Sequence, residues 1–94
     1  MKVFLTRRAE RNYQSIKEYI TKEFGDKTAA TFGQKADETF KLLEDFPKMG
    51  PVESNDIRGF QLSRQTRILY RVKEQRIIIL SLFDVRQNPK KRPS

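Results

Sequence analysis

The stretch that decides the fold is "RILYRV", Arg67 to Val72. Side chains alternate across a β-strand, so Ile68, Tyr70 and Val72 share one face while Arg67, Leu69 and Arg71 share the other. One face is suited to a core, and the other carries two guanidinium groups. A strand of this kind belongs to a sheet covered on one side only. Its arginines are then either the solvated side of that sheet or a surface for anions.

Working outward, Ile57 to Leu62 reads as a strand, "SRQ" (63–65) as a turn and Thr66 to Val72 as the strand already quoted. "KEQ" (73–75) is a second tight connection, and "RIIILSLFDV" (76–85) is apolar on both faces for much of its length, as an interior strand would be. Upstream lies "PKMGPVESND" (47–56), a loop by its prolines, glycine and polar cluster. Before that loop the period changes from two to about 3.6. Ala9, Tyr13, Ile16, Ile20 and Phe24 draw one helical stripe, with Thr6 as N-cap and Gly25 as terminator. Asp26 is the expected N-cap of a second helix carrying Ala29, Phe32, Ala36, Phe40, Leu43 and Phe46 on one side. Asp37 and Lys41 are spaced to pair on another side, and Pro47 stops the helix. Lys2 to Leu5 completes the set as a short first strand.

The expected fold is α+β: an N-terminal strand, a two-helix hairpin and a three-stranded antiparallel meander, with both helices on one face of the sheet. One domain spans residues 1–86, and residues 87–94, "QNPKKRPS", form a basic tail without an apolar anchor. A single domain of this size leaves no room for a cleft between domains.

Composition removes several kinds of chemistry. There is no Cys, so disulfides and thiolate metal sites are impossible, and no His, the usual general base and the commonest transition-metal ligand. The glycines at 25, 33, 50 and 59 are isolated and make no phosphate-cradling loop. Asp37 and Glu38, like Glu44 and Asp45, are adjacent on a helix and diverge, so they form no acid–base pair. Neither a metal nor a cofactor is expected. "MKVFLTRRAER" lacks the apolar core of a signal peptide and no segment is long and apolar enough to cross a bilayer, so the protein is expected in the cytoplasm.

The net charge of +8 is segregated. Up to Asp56 ten basic residues balance ten acids; beyond it ten basic residues face only Glu74 and Asp84. The excess points to an anionic partner, nucleic acid or acidic polypeptide. The candidate set is Arg58, Arg64, Arg67, Arg71 and Arg86 on or beside the meander, with Lys90, Lys91 and Arg92 in the tail. Guanidinium groups grip phosphates bidentately and can stabilise a charged transition state, so phosphodiester binding, or cleavage, is chemically open without a histidine.

"LTRRAERNYQSIKEYITKEFGDKTAATF", "LLEDFPKMG", "IRGFQLSRQTRILYRV" and "IIILSLFDVRQNPKK" together resemble the RelE/ParE superfamily, the toxins of type II toxin-antitoxin modules, which include plasmid stabilisation proteins. The resemblance implies a bacterial cytoplasmic toxin neutralised by an acidic, partly disordered antitoxin, in a heterotetramer or higher complex. The family has two mechanisms. RelE-like members cut mRNA on the ribosome; ParE-like members poison DNA gyrase and are not nucleases. Arg67 matches the strand arginine of the nucleases, and Arg86 falls at or next to the arginine ending their last strand. Gln61 and its neighbours stand where the nucleases have lysines, and no Tyr or His follows Arg86. With half of the nuclease set missing and a long helical hairpin, the resemblance favours the ParE branch. The mRNA endonuclease, with Arg67 and Arg86 catalytic, is the alternative. A non-toxic nucleic-acid binder is the third reading, for which aromatic residues should alternate with the arginines on the open face; Leu69, the only residue between Arg67 and Arg71 there, counts against it.

Overall fold

The computed structural model describes residues 1–87. The elements run β1 (Lys2–Leu5), α1 (Arg7–Phe24), α2 (Asp26–Asp45), β2 (Val52–Ser54), β3 (Ile57–Gln61), β4 (Thr66–Lys73) and β5 (Arg76–Asp84). They build one sheet of order β1-β5-β4-β3-β2, parallel between β1 and β5 and antiparallel elsewhere, with both helices against one face. The expected architecture is present, with one addition. The loop after the hairpin contains the three-residue β2, whose exposed side chains and short length leave no periodic signal.

Thr6 begins α1 as expected: its hydroxyl accepts from the Ala9 amide (3.1 Å) and donates to the Leu80 carbonyl (3.1 Å), tying the helix start to β5. Gly25 ends α1 with φ +95°, a region open to glycine, and its N–H returns to Thr21 O. Asp26 does not cap α2. The connection is one residue long, Gly25 serves both helices, and Asp26 becomes the first helical residue, where its charge still suits the helix dipole. Nor do Asp37 and Lys41 form an ion pair among the described residues; the side-chain contact on that surface joins Gln34 to Glu38 (3.3 Å).

The stripes pack as the spacing predicts, except at their ends. Ala9, Ile16 and Ile20 of α1 and Ala29, Phe32, Ala36 and Leu43 of α2 are buried against Ile68, Tyr70, Ile77, Ile79 and Leu82. Full burial of each large aliphatic side chain contributes about 1.5–3 kcal/mol. Tyr13 stacks on Phe32 at 5.4 Å between the helices. Phe24 and Phe46, the last residues of the two stripes, are 51% and 59% exposed.

The meander carries the period-two signal faithfully in β4, where Thr66, Ile68 and Tyr70 are buried and Arg67, Leu69 and Arg71 half-buried. It breaks in β5. Leu69 pairs with Ser81 but Tyr70 with Ile79, so Leu80 is an extra residue, a β-bulge. The bulge moves burial from Ile77 and Ile79 to Leu82 and Asp84. That shift is why the sequence of β5 reads as apolar on both sides. Asn12 of α1 accepts from the Leu82 amide (3.1 Å), so the first helix holds the bulge from both sides.

Tyr70 explains the "FPKMG" end of the hairpin. Its buried hydroxyl donates to Pro47 O (2.9 Å) and accepts from Gly50 N (2.9 Å). A Cβ at Gly50 would stand 2.6 Å from Gly59 O and 2.9 Å from the Tyr70 hydroxyl, so the position has no room for a side chain. The loop between α2 and β2 is thereby fastened to the centre of the sheet.

Candidate functional site

Antiparallel partners lie on the same face, so the register states what surrounds the two strand arginines. Gln61 and Phe83 flank Arg67, Gly59 and Ser81 flank Leu69, and Ile57 and Ile78 flank Arg71. Phe4 of β1 lies beside Ile78, with the Arg76 guanidinium 5.7 Å from its ring centroid. The helix-free face of the sheet is therefore a mixed surface, arginines interleaved with apolar and aromatic side chains. The aromatic residues come from neighbouring strands, Phe83 beside Arg67 and Phe4 under Arg76, and reading β4 alone misses them.

Both β4 arginines on this face meet carboxylates of the β2–β3 hairpin. Arg67 is ion-paired with Glu53, which reaches it across Gly59, where a Cβ would collide with both groups. Arg71 Nε donates to Asp56 (3.0 Å). Sequence reasoning counted Glu53 and Asp56 among the acids of the N-terminal half. The signal that places them is the antiparallel turn at Asn55, φ +52°, which folds the acid-bearing strand back beside the basic one.

The other predicted arginines do not join this surface. Arg58 has the opposite parity, and its guanidinium donates to Lys48 O (3.1 Å) and Gly50 O (2.8 Å), clamping the loop that Tyr70 holds. Arg86 follows β5 and folds to the helix side. Its Nε and Nη2 make a fork with Asp84 (3.0 and 2.9 Å), and its guanidinium lies 5.6 Å from the Phe24 ring centroid. Asp84 is 2% exposed and also accepts from the Thr66 hydroxyl (2.6 Å) and the Arg86 amide (2.9 Å). Burial pushes the Asp84 carboxyl up, but the bonds from Arg86, Thr66 and the backbone outweigh it and hold the group below the ordinary carboxylate range. The same partner pushes the Arg86 guanidinium further up. Arg64, on the β3–β4 turn, shares a cavity with Arg86 and with Lys35 of α2, a residue the sequence did not single out. Gln87, assigned to the tail, donates to Ser15 of α1; Lys90, Lys91 and Arg92 lie outside the described residues.

Among the described residues no group of carboxylates could hold a metal ion, and no helix is long and apolar enough to cross a membrane. The five arginines thus fall into three places: Arg67 and Arg71 on the open face, Arg64 and Arg86 at the helix-side cavity, and Arg58 in the loop clamp.

The fold has known relatives. No curated protein matches the chain at a significant level. Among solved structures it is similar to a chain of the chromosomal ParDE toxin-antitoxin system of Pseudomonas aeruginosa, with 26% identity over 89% of this chain and 95% of that one and a TM-score of 0.77. A YoeB/ParE toxin from Agrobacterium tumefaciens shares the fold at 17% identity, covering 89% and 98% of the two chains with a TM-score of 0.66. So does a copper-bound mutant toxin from Helicobacter pylori, at 15% identity, 89% and 93% coverage and a TM-score of 0.60. The model of the ParE toxin of type II toxin-antitoxin systems, parDE, matches residues 3–89, nearly the whole chain, and the chain therefore belongs to the ParE toxin family.

Proposed function

We propose that this chain acts in the cytoplasm as a toxin that binds DNA gyrase without chemistry of its own, and is neutralised by a cognate acidic antitoxin. The observation that carries this reading over nucleolysis is the separation of Arg67 from Arg86. The nuclease reading needs both on one phosphate. Here Arg67 is on the open face beside Glu53, while Arg86 is turned to the helix side and forked to a buried carboxylate. With no histidine anywhere in the chain the usual neutral-pH base is missing, and the carboxylates nearest the two arginines, Glu53 and Asp84, are each engaged in an ion pair with them.

The open face supports the antitoxin half of the proposal. Carboxylates of a partner segment can replace Glu53 and Asp56 on Arg67 and Arg71, and its apolar side chains can cover Phe4, Leu69, Ile78 and Phe83. Charge of this kind speeds association and sets orientation more than it adds affinity.

The purified chain is expected to inhibit supercoiling by purified gyrase and to accumulate cleaved DNA. In a cell-free translation reaction, primer extension is expected to find the reporter message intact. Cuts in codon register on translated message, abolished by Arg67→Ala, would replace this proposal with the ribosome-dependent endonuclease.

A further inference from the structure

We propose that the notch between the beginning of α2 and the β3–β4 turn is a binding site for a small organic phosphate. The cavity measures about 380 Å³, within the lower range of ligand pockets. Thr28, Thr31 and Lys35 enter it from one face of α2, at the spacing that puts residues above one another on a helix. Arg64 enters from the turn opposite, and Arg86 forms the end wall. The floor is apolar, made by Ile20, Phe32 and Leu62 of the core.

Three features give this cavity the character of a built site. First, Arg86 is held before any ligand arrives: Asp84 takes its Nε and Nη2, Phe24 lies beside its guanidinium, and Nη1 is left uncommitted among the described residues. Little side-chain entropy remains to be lost when it binds. Second, the turn that carries Arg64 is pinned by Ser63, whose hydroxyl accepts from the amides of Gln65 (3.2 Å) and Thr66 (3.1 Å). Third, the charge is matched. Lys35, Arg64 and Arg86 line the cavity with no carboxylate among the lining residues, and Asp84 behind the wall offsets one of them. A surplus of two positive charges suits a phosphomonoester, which carries about −1.5 to −2 at neutral pH.

A single carboxylate would satisfy one cation and leave the others facing each other. The apolar floor gives the remainder of an organic phosphate, such as a nucleobase or acyl body, a surface to cover. Such a ligand would bridge α2 to the β3–β4 turn and so stabilise the fold by mass action. The site lies on the opposite side of the sheet from Arg67 and Arg71, so the inference is independent of the target that the open face serves.

The test is a titration of the full chain with AMP, with inorganic phosphate and with adenosine, followed by amide chemical shifts and by melting temperature. Saturable shifts at Lys35, Ser63 and Arg64 with AMP, smaller ones with inorganic phosphate and a raised melting temperature are expected. Lys35→Gln and Arg64→Gln, both exposed positions, should each weaken AMP binding about tenfold or more, as the loss of a charged hydrogen bond does, with circular dichroism unchanged. Arg71→Gln, on the open face, should leave AMP binding intact. Absence of saturation at millimolar AMP would overturn the proposal, as would an equal loss in Arg71→Gln, which would mean diffuse attraction. A glutamate-rich peptide that shifts the same amides as strongly as AMP would reassign the notch to a protein partner.

Discussion

Among the described residues the arginine–carboxylate pairs fall in two settings, and the same chemistry does different work in each. At the end of β5, Asp84 is wholly inside and Arg86 is 24% exposed at its side chain. On the open face Arg67 and Glu53 are 38% and 35% exposed, and Arg71 and Asp56 34% and 61%. Exposed pairs contribute about 0–1 kcal/mol and are screened by salt, whereas breaking a buried one leaves an uncompensated charge. Arg86 is thus part of the architecture. Arg67 and Arg71 are held loosely enough for a partner to take them over.

The comparison is broken most directly at Asp84. Asp84→Asn leaves Arg86 without its counter-charge and weakens the bonds to Thr66 and the chain, so a loss of about 2–3 kcal/mol is expected, somewhat below that of a fully enclosed pair. Urea unfolding at neutral pH measures it. The pH dependence gives a second reading. Because the folded Asp84 carboxyl lies below its unfolded value of about 3.9, its contribution is complete above that pH and is lost as the pH falls through the folded value. Asp84→Asn should therefore flatten the acid limb of the stability curve, and an unchanged limb would show that Asp84 is not an anchor.

Tyr70 sharpens the contrast with an uncharged bond in an equally dry place. Tyr70→Phe strands the Gly50 amide and the Pro47 carbonyl, at a cost of about 1–3 kcal/mol by urea unfolding. The loop also bears the Arg58 clamp, so the variant should increase amide exchange from Lys48 to Gly50 before the rest of the chain.

These differences mark how far the sequence can be read. The arginine parity of β4, the N-cap at Thr6 and the stop at Gly25 were legible because each is a local signal: a period, a capping side chain, a residue that tolerates positive φ. The ParE resemblance was legible in motifs that turn out to be mechanical, since "FPKMG" ends the hairpin where Tyr70 and Arg58 grip the loop. The grouping of the arginines was not legible. It depends on the Leu80 bulge, which sends Asp84 inward and Arg86 with it, and on the three-residue β2, which brings Glu53 to Arg67. Both are register effects between strands, and the same residues with one bulge fewer would have put Asp84 on the open face.

The smallest expected effect is the most informative about function. In a double-mutant cycle with Arg71→Gln and Asp56→Asn, the coupling in stability should be about 0.2–1 kcal/mol and should fall further in high salt. The equivalent cycle on Arg67 and Glu53 should behave alike, Gly59 permitting the approach. If these carboxylates occupy the place of a partner's acids, Glu53→Gln with Asp56→Asn should raise the association rate for the proposed acidic antitoxin severalfold at low salt while leaving the melting temperature nearly unchanged. The face would then carry two more net positive charges without losing a packed contact. A coupling above about 2 kcal/mol would instead rank these pairs with Arg86 and Asp84 as architecture, and the distinction between a held surface and an available one would collapse.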